Sequence, residues 1–261
     1  MKNNYYSEYN ESSTNAGPVI VSDSTTKTLI KSYLWMFIGT FITFVFGIVF
    51  SNMLANMLLE GNGAGLSVFL ILSIVSFVVQ LILCYTINKN ALVKANFSKA
   101  LIGFIVFALS TGFTFSTLFI YFDISILYNV FAGVTLYYLI LTFLTFLFRK
   151  SIHKASGFAF VGLLTLLICS ILVSIYSLVI YDPIGGISSK LYLGISVLGI
   201  LVFSILTMVD IKSMYNLIDY SQNKKSASIA AAFSLYLDFI NIFLYVLRIL
   251  LILGKNIRNN N

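Results

Sequence analysis

Ser234-Leu235-Tyr236-Leu237-Asp238-Phe239-Ile240-Asn241-Ile242-Phe243-Leu244-Tyr245-Val246-Leu247-Arg248-Ile249-Leu250 is apolar enough to cross a bilayer, yet it carries an aspartate, an asparagine and an arginine. Charge at membrane depth costs on the order of 3 kcal/mol or more, so an intramembrane carboxylate is a functional-site candidate by default. At about 100° per residue, Ser234, Asp238, Asn241, Tyr245 and Arg248 fall within about 80° of one another, while Leu237, Ile240, Leu244, Leu247 and Leu251 lie elsewhere. A polar stripe of this kind must face the interior of a helix bundle or a water-filled path. Arg248 lies about 15 Å along the axis from Asp238, too far for a direct pair within one straight helix.

The preceding apolar segment, from Lys190, holds a second carboxylate, Asp210, with Ser196, Thr207 and Ser213 grouped loosely on its side. The midpoint between 210 and 238 is 224, and Lys224-Lys225 is the most polar point of the connection from Ser221 to Ser226. An antiparallel hairpin symmetric about those lysines sets both carboxylates at comparable depth. With a helix start near Ser228 or Ile229, Asp238 lies roughly 15 Å in, close to mid-bilayer. The expectation is a buried polar seam between the last two helices, with Asp210 and Asp238 as its acids and Ser234, Thr207, Asn241, Tyr245 and Arg248 in support.

The composition agrees with a membrane. Of 261 residues, 59% are hydrophobic and only 10% charged, and the mean hydropathy of +0.97 is far outside the range of soluble domains. The formal charge of +7 would suit nucleic acid, but the lysines sit between apolar spans, where membrane topology explains them, so nucleic-acid binding is excluded. Cys84 and Cys169 fall inside apolar spans without a C-x-x-C pair and read as packed free thiols. The single histidine, His153, lies in a basic loop, and one histidine with two distant cysteines cannot build a zinc site. No catalytic group and no cofactor is expected.

Residues 1 to about 30 are rich in Ser, Thr, Asn and Tyr and read as a disordered tail in which the Asn10 sequon is accidental. A seven-span domain covers 31–255, and 256–261 form a second tail. The spans are placed at about 32–59, 66–87, 100–122, 125–148, 156–181, 190–216 and 229–253, each at or above the ~20 residues a bilayer requires. Asn52 and Asn56 lead to Glu60 at a helix end, where Glu60 is a candidate access point for ions. Loop charge alternates: twelve basic residues (Lys2, Lys27, Lys31, Lys89, Lys94, Lys99, Arg149, Lys150, Lys154, Lys212, Lys224 and Lys225) fall on one side. Lys190, Lys255 and Arg258 fall on the other, with Glu60, Asp123 and Asp182 near its loops. The positive-inside rule makes the amino terminus cytoplasmic and, for seven full spans, the carboxyl terminus external; a re-entrant last span would return Lys255 and Arg258 to the cytoplasm. The Asn, Ile, Lys, Phe and Tyr bias and short termini favour a bacterial plasma membrane.

The last span, 234–250, closely resembles the signature of the transmembrane Bax inhibitor motif family. Thr111-Gly112-Phe113-Thr114-Phe115-Ser116-Thr117-Leu118-Phe119-Ile120-Tyr121 and Met208-Val209-Asp210-Ile211-Lys212 add to the likeness, which covers roughly 110–253. The resemblance implies an all-α integral membrane fold, a seven-transmembrane-helix bundle with the last helix central. It also implies a calcium-leak channel whose opening responds to pH through paired aspartates, matched here by Asp210 and Asp238, with Arg248 matching the signature arginine. The second span, Leu66 to Ile87, has no arginine, although bacterial members often place one there to pair with the last-helix aspartate; the sixth-to-seventh loop is longer than usual, and the fourth-to-fifth loop lacks an acidic residue.

Two carboxylates in a low-dielectric seam share one proton and titrate as a unit. Without that proton they form a weak oxygen site for a hard divalent cation, so Asp210 and Asp238 are the candidate Ca2+ site, with Ca2+ as permeant ion, H+ as the second ligand and the lipid bilayer as surroundings. The plainer alternative is a hydrogen-bonded pair that only locks helix packing. A proton-coupled cation transporter is a second alternative. An intramembrane aspartyl protease lacks its Gly-x-Gly-Asp context, because Met208-Val209-Asp210 and Tyr236-Leu237-Asp238 precede the acids and the only prolines are Pro18 and Pro183. A retinal protein lacks its mid-span lysine, since the last helix has none before Lys255. Protein partners and oligomeric state are not legible.

Overall fold

Long apolar runs with two prolines in the whole chain leave little to interrupt a helix, and helices are what forms. The computed structural model describes residues 23–147, 155–180 and 187–259. Most of the expected amino-terminal tail with Asn10, the basic loop with Arg149, Lys150, His153 and Lys154, and Asp182 lie outside the described residues. The helices are α1 (Asp23–Leu59), α2 (Gly63–Asn88), α3 (Phe97–Phe119), α4 (Ile124–Leu147), α5 (Ala155–Ile180), α6 (Ile187–Asp219) and α7 (Lys224–Asn259). Each contains a stretch long and apolar enough to cross a membrane.

Two boundaries differ from the expectation. Residues 23–30 are helical rather than tail, because Thr25, Thr28, Leu29 and Ser32 bury against the bundle. At the other end α7 continues to Asn259. At about 1.5 Å per residue, the 37 residues of α1 span about 55 Å, well past a hydrocarbon layer of about 30 Å.

Turn chemistry matches the ends. Gly61, at φ +64°, closes α1 in the left-handed region that costs glycine little. The Asn62 side chain accepts from the Gly65 amide and the Asn96 side chain from the Lys99 amide, capping α2 and α3. A π-helical turn, Lys89–Val93, links those two helices, and Ala95 after it has φ +48°. Its carbonyl accepts from Asn223 Nδ2 at 2.9 Å, which ties the α2–α3 connection to the α6–α7 turn.

The last helix is the centre. It packs against α1, α3, α4 and α6, and Ala227, Ile229, Phe233, Leu235, Tyr236, Phe239, Ile242, Phe243 and Leu247 on it are nearly or fully buried. Rings from three other helices close on it: Phe104 and Phe107 of α3, Phe44 of α1 and Phe131 of α4. By contrast α2 turns Leu70, Ile71, Ile74, Phe77, Leu81 and Ile82 outward; in lipid such a face has no reason to hide. The crossing of α1 and α3 is so close that a Cβ on Gly112 would lie 2.7 Å from the Thr43 carbonyl oxygen. There the Thr43 hydroxyl bonds both the Ala108 carbonyl, at 2.9 Å, and Tyr236 Oη, at 2.7 Å, joining three helices deep in the bundle.

Candidate functional site

An acid among apolar residues needs polar neighbours, and these two find them on each other's helix. Asp210 Oδ2 of α6 accepts from Ser234 Oγ of α7, one turn before Asp238. Thr207, one turn before Asp210, stands beside Asp238 with its hydroxyl donating to the Phe203 carbonyl at 2.7 Å, and Asp210 is an electrostatic neighbour of Asp238. The pattern is reciprocal: each acid meets a hydroxyl lying next to the other acid. Asp238 is 5% exposed, and its Oδ2 is buried with no hydrogen-bond partner.

The depth expectation needs correction. Asp210 opposite Ser234, Thr207 opposite Asp238 and Gly199 opposite Tyr245 all centre the antiparallel register near residue 222 rather than 224. Lys224 and Lys225 belong to the first turn of α7, and the turn is the shorter segment between Asp219 and Lys224. The carboxylates are therefore staggered by about one helical turn, roughly 6 Å along the axis. Because α7 starts at Lys224 and not near Ser228, Asp238 lies about 21 Å from its start.

The expected stripe on α7 does lie along α6. Ser234 and Asp238 meet Asp210 and Thr207 as described. The Tyr245 ring rests on Gly199, whose hypothetical Cβ would be 2.5 Å from it, and stacks at 5.9 Å on Phe203. Asn241, half-buried, turns its Nδ2 back to the Leu237 carbonyl at 2.7 Å. Arg248 places its guanidinium 5.4 Å from the Tyr192 ring centroid and 5.8 Å from that of Tyr245, a cation on two aromatic faces and not beside the acids. Glu60 is exposed at the far end of α1, about 25 Å along the axis beyond Thr43, and takes no part in the seam. Among the described residues, no group of three His, Cys, Asp or Glu side chains is placed to hold a metal ion.

The sequence reading missed Tyr138. Its ring is fully buried, its hydroxyl donates to the Leu235 carbonyl at 3.2 Å, and both aspartates are its electrostatic neighbours. A Tyr137-Tyr138 pair inside an apolar span was the available signal, and the pair splits its work: Tyr137 Oη bonds Ser204 Oγ of α6 at 2.7 Å. On α2, Gln80 Nε2 donates to Thr114 Oγ1 of α3 at 2.9 Å.

Seven membrane-crossing helices around a buried central one, with two acids on its seam with α6, define an integral membrane protein of the polytopic helical-bundle class. The family described as "Inhibitor of apoptosis-promoting Bax1" matches residues 25–255, and the chain belongs to that Bax inhibitor-like family. An uncharacterized protein of Borreliella burgdorferi is 29% identical over 237 residues, 86% of this chain and 91% of the relative. One of Deinococcus radiodurans is 32% identical over 149 residues, 56% of this chain and 60% of the relative. One of Rickettsia prowazekii is 48% identical over 66 residues, 24% and 28% of the two chains. No solved structure matches significantly.

Proposed function

We propose that the protein is a pH-sensitive calcium-leak channel in which Asp210 and Asp238 form the gate and the weak cation site. One observation carries the reading: two acids lie on adjacent helices, Asp210 held by Ser234 of the facing helix and Asp238 beside Thr207, and one buried oxygen, Asp238 Oδ2, is left without a partner. An unpartnered buried carboxylate oxygen is costly as a charge, and a proton on Asp238 removes that cost. When the proton leaves, two like charges remain on adjacent helices, and their repulsion biases the seam between two arrangements.

Two carboxylates and two hydroxyls offer at most six oxygens, the lower end of the six to eight a calcium ion takes, and reach six only if both carboxylates bind through both atoms. An ion at the seam keeps part of its water and can leave, which suits a leak and not a store. On the basic side, a hollow of about 530 Å3 lined by Leu92, Val93, Asn216, Leu217, Tyr220 and Gln222 ends two helical turns from Asp210 and supplies an approach. The basic loops that share this end, joined by Asn223 to Ala95 and by Lys224 to Ser24 and Thr25, favour a cytoplasmic amino terminus. Relatives in bacteria favour a bacterial plasma membrane. Arg248, on its aromatic pair, acts on the seam through Tyr245. No enzymatic step is assigned.

Calcium flux from proteoliposomes of the purified protein, stepped through pH, tests the reading. Passive flux down the gradient that changes with pH is the expected result. Proton movement in fixed ratio to calcium would instead make it a proton-coupled transporter, and no calcium flux at any pH would leave the acids as a packing lock.

A further inference from the structure

Lys31 and Lys225 stand at one end of the bundle, on different helices, with apolar and aromatic groups between them. A hollow of about 320 Å3 is lined by Lys31, Leu34, Trp35 and Ile38 of α1, Phe97 at the start of α3 and Lys225 of α7. Phe97 is the wedge: its ring meets Trp35 edge-on at 6.2 Å and lies 5.2 Å beneath the Lys225 ammonium. Among the described residues no carboxylate lines the hollow, and Asp219, the acid at this end of α6, is engaged by the Thr25 hydroxyl at 3.0 Å. Lys225 is the second residue of α7, where the helix dipole adds to the attraction for an anion.

The depth is informative. From Lys31 to Glu60 the chain rises about 44 Å, the thickness of a bilayer with its headgroup layers. With Glu60 at one surface, Lys31 stands in the headgroup layer of the other. Trp35, the chain's single tryptophan, is one turn deeper, where aromatic belts lie. Leu34 and Ile38 are 59% and 44% exposed and face acyl chains. The cleft thus grades from cation to aromatic to hydrocarbon over two turns, in the order of phosphate, glycerol and acyl chain.

We infer that this cleft binds an anionic phospholipid, its phosphate between the Lys31 and Lys225 ammonium groups and one acyl chain along Leu34 and Ile38. A bound lipid here bridges α1, α3 and α7 at the end where the α6–α7 turn docks.

Native mass spectrometry of the full chain, released from micelles doped equally with phosphatidylglycerol and phosphatidylcholine, reads the retained lipid. The wild type is expected to keep phosphatidylglycerol in preference. Lys31→Gln with Lys225→Gln is expected to weaken that preference roughly 25-fold, at about fivefold for each lysine near an anionic surface. Lys31→Arg with Lys225→Arg is expected to keep it, as is Lys89→Gln with Lys94→Gln, which removes two cations from the same end outside the cleft. Equal retention of both lipids, or as large a loss in the Lys89 and Lys94 variant, overturns the site. Displacement of phosphatidylglycerol by excess inorganic phosphate assigns the cleft to the free anion and overturns the lipid.

Discussion

Replacing Asp238 by asparagine removes one of two charges that stand about one helical turn apart, with Asp210 held by Ser234 and Asp238 beside Thr207. Their axial offset of about 6 Å is the least separation the charges can have, and at an effective dielectric of about 20 two unit negative charges so placed repel by at most about 3 kcal/mol. That is a bias of up to roughly 150-fold on the equilibrium between a seam that tolerates both charges and one that does not. The assay is pH-stepped calcium flux in proteoliposomes for the wild type, Asp210→Asn, Asp238→Asn and the double variant. Each single variant is expected to flatten the pH dependence, and the double variant to flatten it no further, because two acids sharing a proton act as one unit. Pair-wise non-additivity of up to about 3 kcal/mol is the expected size. Unchanged pH dependence in both single variants, or two effects that simply add, would refute the gate.

Ser234→Ala strips Asp210 of its donor while the acid stays in place, at a cost of about 1–3 kcal/mol, and the thermal unfolding temperature in detergent is expected to fall accordingly. Gly112→Ala drives a methyl group to 2.7 Å from the Thr43 carbonyl oxygen; because backbone cannot give way cheaply, it is expected to destabilise by about 1–3 kcal/mol. Gly133→Ala, with nothing within 4 Å, is expected to be neutral or slightly stabilising in the same melt. For topology, a Cys84→Ala and Cys169→Ala background carrying Gln222→Cys is expected to react with a membrane-impermeant thiol reagent only after cells are opened, and one carrying Glu60→Cys in intact cells. The reverse pattern would overturn the cytoplasmic amino terminus.

The family resemblance was legible in the sequence, and so were seven apolar helices, because a bilayer leaves a chain few options. Apolar length reports a crossing, a 3.6-residue period reports a face, and a carboxylate in that setting must find company. The α6–α7 register was misjudged by two residues. Lys224 and Lys225 look like the middle of a loop on polarity alone, but they begin a helix once Asn223 and the α2–α3 turn are there to hold it. Residues 23–30 differ for a related reason: Thr25 and Thr28 are polar by type, and only packing against the other helices reveals that they are buried.

What the sequence alone determined is the inventory: which segments enter the membrane, which face of the last helix is polar and which two acids lie within lipid. Tertiary structure decided who meets whom. It set Thr207 and not Asp210 level with Asp238, brought Tyr138 up to both acids from a third helix, α4, gave Arg248 to two aromatic rings, and folded Lys31 and Lys225 from opposite ends of the chain into one cleft. Periodicity follows from one helix's own geometry, whereas register and contacts across helices depend on how side chains of different size interlock, and that interlocking is a property of the assembled bundle.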